Sequence, residues 1–274
     1  MDEFTSAKSW LKKPGTGFFN ILIEKPMEQG MEYISAFLFA FTLVVIVHEL
    51  GHLLAAKALG VKVYEFSIGF PFSPKIATFF RLRETEFTLR LLPLGGFVAF
   101  SKEGEGDGSE YLVLHKWKRA LIAFAGPAFN IILAFATLAL SAALGEVQGL
   151  FGSSASALHS ISAGVQGFLS LFGPGLLENL SGPIGIAVAA GNAAHSGTAG
   201  FLAFTGMLSL SLAIFNLIPF PALDGGQLVM LAAESLRKKD FSPAFHGAVS
   251  AIGMLLFIGL TLFVSYKDIY RLAV

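Results

Sequence analysis

The apolar run Tyr33 to Val47 (YISAFLFAFTLVVIV) leads without a break into His48-Glu49-Leu50-Gly51-His52, and this stretch decides how the chain is read. The run has the composition of a membrane-crossing helix, and the pentad places two imidazoles and a carboxylate inside it. An ionisable group near the centre of a bilayer costs roughly 2.5 kcal/mol or more, so packing alone does not select such residues. On a helix His48 and His52 share one face, where neutral imidazoles bind one Zn²⁺ while Glu49 stands beside the metal as a general base.

Working outward, 54% of the 274 residues are hydrophobic and only 14% are charged, against about 25% in soluble domains. The expected fold is a membrane protein, mainly α, with about four transmembrane helices near 33–56, 120–144, 199–223 and 244–264. A small membrane-associated β element falls between the first and second, near 61–100, and the third helix is broken. Residues 1–32 form an N-terminal interfacial segment, residues 33–274 the working domain, and 146–198 a short outer connection with room for one or two interfacial helices but not for a further folded domain.

The net formal charge is zero and there is no cysteine, which leaves no general basic field for nucleic acid and no thiolate ligand or nucleophile. The placement of the basic residues is more telling. No Lys or Arg occurs between Arg119 and Arg237, whereas nine lie from Val61 to Arg119 and three from Arg237 to Lys239. By the positive-inside rule the β element is then cytoplasmic, the 146–198 connection is outside, and both termini are outside. Lys8, Lys12, Lys13 and Lys25 run against that orientation.

Within the β element, Val63 to Phe72 and Glu86 to Phe100 alternate apolar and polar residues as strands do, with Pro93 and Gly95-Gly96 as turn residues. A catalytic zinc takes three protein ligands and keeps a fourth position open, so the histidine pair needs a partner. Asp224 is the expected one. It follows an uncharged span and lies within a segment, Asn216 to Gly226, in which Pro219 and Pro221 interrupt the helix. Broken backbone at membrane depth is tolerated where it lines a polar cavity. Helix capping is an alternative role for Asp224. Asn130 and Asn216 are amides in apolar spans, Asn216 beside the break.

These residues together resemble the site-2 protease family of intramembrane zinc metalloproteases, most closely its bacterial RseP-type branch. The likeness runs from His48-Glu49-Leu50-Gly51-His52 through Phe66-Ser67-Ile68-Gly69-Phe70, Pro93-Leu94-Gly95-Gly96, Ala125-Gly126-Pro127-Ala128-Phe129-Asn130 and Ser181-Gly182-Pro183-Ile184-Gly185-Ile186 to Asn216–Gly226. It implies one Zn²⁺ per chain on His48, His52 and Asp224, with Glu49 as base and Asn216 assisting. It also implies a membrane-reentrant β element that aligns substrate by strand addition, with Pro93, Gly95, Gly96, Asn130 and Asn216 facing the substrate. The PDZ domain that RseP-type members carry between the second and third spans has no counterpart here.

The expected function is hydrolysis of a peptide bond in or near the transmembrane segment of a single-span membrane protein or a signal-peptide remnant. The expected setting is the bacterial cytoplasmic membrane, with lipid as the surrounding partner, no nucleic acid, and the site toward the cytoplasm. The rival readings are a transporter or channel with a structural metal site, and a catalytically silent membrane adaptor. Convergence of the intramembrane ionisable groups on one ligand set weighs against the first, and Glu49, which a structural site would not need, against the second.

Overall fold

The computed structural model describes residues 27–92, 95–101, 109–144 and 182–273. Among them are seven helices and four strands: α1 Met27–Ala58, β1 Glu65–Ile68, β2 Lys75–Leu82, β3 Thr85–Arg90, β4 Gly96–Ala99, α2 Ser109–Leu112, α3 Lys116–Ala143, α4 Pro183–His195, α5 Gly197–Leu217, α6 Asp224–Arg237 and α7 Pro243–Ala273. Four segments, Gly30–Ala58, Lys116–Ala143, Gly197–Leu217 and Pro243–Tyr270, are long and apolar enough to cross a membrane. The mainly helical membrane fold with a small sheet is as the sequence implies. The helices overrun the expected spans because Lys116 to Arg119 begin α3 and the last helix continues past Val264.

α1 holds 32 residues, about 48 Å at 1.5 Å per residue, enough to cross a hydrocarbon core of about 30 Å and emerge on one side. It stops where Gly60 takes φ 72°, letting the Gly60 and Val61 N–H groups donate back to Lys57 and Ala56. That left-handed glycine closure satisfies carbonyls that the helix end would otherwise orphan.

α3 is the central helix, packed on α5 and on α1. Glycines allow the approach. A Cβ on Gly51 of α1 would run into the Ala125 carbonyl, and one on Gly206 of α5 would meet Thr137 and Leu138. Where lipid is as apolar as the side chains, such small-residue contacts and interhelical hydrogen bonds hold helices together. Ser209 Oγ donates to the Asn130 carbonyl at 2.8 Å and Ser141 Oγ to the Ala199 carbonyl at 2.8 Å.

The sheet has the order β2-β3-β1-β4, with β1 and β3 parallel and the other pairs antiparallel. β1 and β4 fall inside the stretches expected from alternation, and β3 begins one residue before the second of them. β2 was not expected, and its register explains why: irregularities between Lys75 and Ala77 and between Thr78 and Phe80 interrupt the period of two. The polar face of β3 is the buried one. Thr88 and Arg90 are buried while Phe87 and Leu89 are half-buried, because Glu65 of β1 lies beneath them. Arg90 Nη2 donates to both Glu65 oxygens at 3.0 Å, Arg90 Nη1 to the Pro71 and Ser73 carbonyls, and Thr88 Oγ1 to Glu65 at 2.6 Å.

The third span breaks as expected. α5 ends at Leu217, Ile218 is extended, Ala222 adopts φ 74°, and α6 begins at Asp224. Leu223, not Asp224, occupies the N-cap position, and no side chain caps the helix. α4 lies in the expected interfacial connection, with Gly191 against the Tyr33 ring and Tyr33 Oη donating to Asn192 at 3.0 Å. The rest of that connection up to residue 181, and residues 1–26 of the N-terminal segment, lie outside the described residues. α7 presents Ile252, Leu255, Leu256, Leu262 and Phe263 outward. Its Asp268 is nonetheless buried and accepts the Gly185 N–H at 3.0 Å, satisfying a free donor in the first turn of α4.

Candidate metal centre

One turn of α1 supplies His48 and His52, which therefore project from the same face toward α3. The break after α5 lets Asp224, at the start of α6, approach from the other side. Gly225 and Gly226 allow this, since a Cβ on either would collide with the Leu217, Ile218 or Phe220 carbonyls. All three residues are buried. His48 Nε2 lies 3.1 Å from Asp224 Oδ2, His52 Nε2 lies 3.5 Å from the same oxygen, and the two Nε2 atoms are 3.2 Å apart. Among the described residues this is the one group of three such side chains able to hold a metal ion.

The donor set fits zinc. Tetrahedral ligands at about 2.0–2.1 Å from one ion stand about 3.3 Å from one another, close to the separations found. Asp224 Oδ2 is buried and, the two imidazoles apart, has no hydrogen-bond partner among the described residues, an arrangement that is costly unless a cation meets it. The ring orientations fit as well. His52 Nδ1 faces the Ile122 carbonyl at 2.7 Å, and a carbonyl only accepts, so Nδ1 carries the proton and the Nε2 lone pair is free. Asn130 stands behind His48 with Nδ2 3.3 Å from Nδ1, while its Oδ1 is buried without a partner. A half-turn of the amide brings Oδ1 onto a protonated Nδ1 and leaves His48 Nε2 free too.

Glu49 lies on the adjacent face of α1, against the edge strand. A Cβ on Gly96 would come within 2.6 Å of Glu49 Cγ and 3.0 Å of Val45, so only glycine lets β4 pass this close to the carboxylate. β4 is the last strand of the sheet, and its outer edge has no strand partner among the described residues.

The expected site residues are thus distributed unevenly. His48, His52 and Asp224 come together with Glu49 beside them. Gly96 lines the approach to Glu49, while Gly95 sits in ordinary contact with the Phe70 ring. Asn130 is fully buried behind a histidine, with its amide 3.3 Å from His48 Nδ1. Asn216 Nδ2 donates to the Leu212 carbonyl one turn back in its own helix at 3.0 Å. Pro93 lies outside the described residues.

Two features had no reading as part of the site. The Ile122 carbonyl carries no signal in a sequence. Gly126 does, through the Gly126-Pro127 pair: a Cβ there would overlap His52 Nε2 and approach His48 Cε1 at 2.9 Å. Gly126→Ala is therefore expected to keep the helix, where alanine is favoured over glycine by about 1 kcal/mol, yet to weaken zinc binding on the order of 10-fold or more. Chelator competition on the purified variant checks this.

The family model for peptidase family M50 matches residues 36–260, most of the chain and every residue of this centre. The chain belongs to peptidase family M50, the site-2 proteases. This site-2 protease is an intramembrane zinc protease, and the transporter, channel and adaptor readings are not favoured. A protein of Clostridium perfringens named as a zinc metalloprotease is 28% identical over 86% of this chain and 98% of its own length. That alignment runs over 332 positions, more than the 274 residues here, so the relative carries residues that this site-2 protease lacks. The regulator of sigma E protease of Haemophilus influenzae is 44% identical over 35% of this chain and 22% of its own length. The zinc metalloprotease RasP of Oceanobacillus iheyensis is 40% identical over 38% and 25% respectively.

Proposed function

We propose that this site-2 protease hydrolyses a peptide bond in or near the transmembrane segment of a single-span membrane protein or a signal-peptide remnant, with His48, His52 and Asp224 as zinc ligands and Glu49 as general base. The observation that carries the reading is the convergence of three buried donor atoms at 3.1 to 3.5 Å from one another, with Glu49 next to them and beside a strand edge that has no partner among the described residues. The domain carrying this activity is residues 33–274.

When bound, zinc polarises a substrate carbonyl and lowers the pKa of water in the open fourth position toward 7. The residues of the chain do the rest. Glu49, buried and one residue from His48, takes the proton of the attacking water and returns it to the leaving amine. Ile122 and Asn130 hold the two imidazoles in the tautomer that the ligands need.

A transmembrane helix conceals its carbonyls in its own hydrogen bonds, so the substrate must unwind before attack. The outer edge of β4 offers a row of backbone donors and acceptors to an extended segment, and Gly95 and Gly96 leave that approach open. Asn216, at the end of α5 beside the break, supplements it by turning its amide from Leu212 onto the extended chain. Asn216→Ala is expected to lower kcat by about 10-fold or more while zinc content stays normal, since only a group that acts on the reacting segment has that signature. Metal analysis beside single-turnover cleavage measures both.

The membrane is assigned as a bacterial cytoplasmic membrane with the centre toward the cytoplasm, on the basic residues that cluster at the β element and after Arg237. The experiment for the whole reading is cleavage of a library of single-span peptides by the zinc-loaded protein in lipid, with products sized by mass spectrometry. Cuts within or bordering the apolar segment are expected. Cleavage confined to soluble loop peptides would overturn it.

A further inference from the structure

Glu234 lies on α6, ten residues after Asp224, and has no exposed surface. Its neighbours in sequence, Arg237 to Lys239, suggest a solvated ion pair. The fold instead turns it inward. Glu234 Oε2 accepts from Arg119 Nη1 of α3 at 3.2 Å, and Oε1 pairs with His246 Nε2 of α7 at 2.8 Å and accepts the Phe241 N–H at 3.1 Å. The backbone carbonyl of Glu234 accepts Lys116 Nζ at 3.1 Å.

Arg119, also buried, extends the cluster. Its guanidinium lies over the Tyr111 ring of α2 at 5.5 Å, and Tyr111 stacks at 4.5 Å on Phe100, which directly follows β4. One carboxylate therefore joins the helix carrying Asp224 to the starts of α3 and α7 and, through Arg119 and Tyr111, to the strand beside Glu49.

The composition of α6 gives this cluster its importance. Its buried residues are Asp224, Gly225, Gly226, Leu231 and Glu234, so Leu231 is the one large apolar side chain fully buried on this helix, with Leu228 and Met230 half-buried beside it. A helix held so lightly by apolar contact is placed by its two buried carboxylates, one at each end. Burial makes the distal pair demanding: with one partner removed, the other is left charged and without water.

We infer that Glu234 is a positioning residue for the metal centre, clamping the far end of α6 to α3 and α7 so that Asp224 meets His48 and His52 from a fixed direction. This rests on the reading of Asp224 as third ligand. Glu234 is too far along the helix to touch zinc or substrate, so its effect appears in how long the metal is held.

The test uses the full chain, zinc-loaded, in lipid or detergent, and follows release of zinc to excess chelator together with the melting temperature of the zinc-free protein. Glu234→Gln is expected to release zinc on the order of 10-fold faster than wild type, the cost typical of losing a supporting contact behind a ligand. Glu234→Asp restores part of that loss, and cleavage by Glu234→Gln recovers in excess zinc with KM unchanged. A lowered melting temperature with zinc release at the wild-type rate would make Glu234 merely structural and overturn the inference. Should Glu234→Gln fail to fold, His246→Gln decides: faster zinc release supports the clamp, and a wild-type rate overturns it. Asp224→Ala separates the two readings. Zinc held by that variant at the wild-type rate removes the third-ligand assignment itself, whereas loss by Asp224→Ala with retention by Glu234→Gln overturns the clamp alone.

Discussion

Glu49→Gln is expected to bind one zinc per chain as wild type does and to lose cleavage by about 10²- to 10⁴-fold, the range over which a positioned general base contributes. The two halves of that result come from separate parts of the geometry. The metal-facing atoms are those of His48, His52 and Asp224, and their mutual distances do not involve Glu49. The Gln side chain is nearly isosteric, so it fits the narrow space against Gly96 and Val45, but it no longer accepts a proton from water. A variant that lost zinc and activity together would place Glu49 among the ligands. Equal cleavage by both proteins would remove it from the mechanism.

Asp224→Ala is the second large effect. Losing a contact behind a ligand costs 10- to 100-fold in metal affinity, so losing a ligand outright is expected to cost at least about 100-fold and to abolish cleavage at ordinary zinc concentrations. Folding responds differently. In the zinc-free protein Asp224 Oδ2 is buried against His48 Nε2 and His52 Nε2 and, those rings apart, has no partner among the described residues, so its removal costs the fold only that contact and frees a desolvated carboxylate. Zinc-free Asp224→Ala is therefore expected to melt within a few degrees of zinc-free wild type. Calorimetry with and without zinc separates the two consequences, and a wild-type gain in melting temperature on zinc addition to the variant would contradict the assignment.

Much of this was legible in the sequence because membrane proteins write their constraints strongly. An apolar run long enough to cross a bilayer is visible without reference to neighbours, and an ionisable residue inside one demands a reason. That logic led from His48 and His52 to Asp224 across 172 residues. Pro219 and Pro221 announced the break that brings the carboxylate back to the histidines.

What could not be read depended on long-range contact. The bulged register of β2 hid a strand whose alternation is interrupted at Phe79-Phe80. Nothing local in the sequence marks Glu234 and Asp268 as buried, since basic residues follow the first and Lys267 precedes the second. Burial comes from Arg119 and His246 in the first case and from the first turn of α4 in the second. Asn130 was legible as a buried amide but not as the partner of one particular ring, since nothing local sets its register against α1. The sheet carried a subtler reversal. Alternation puts Thr88 and Arg90 on the polar face of their strand, and Glu65 on β1 makes that face a buried polar layer.

X-ray absorption at the zinc edge of the lipid-reconstituted protein tests the central claim most directly. Two imidazole nitrogens and a carboxylate oxygen at about 2.0–2.1 Å are expected in wild type, with the carboxylate contribution absent from Asp224→Ala loaded at high zinc. Identical spectra from the two proteins, or a wild-type spectrum with fewer than two imidazoles, would contradict it.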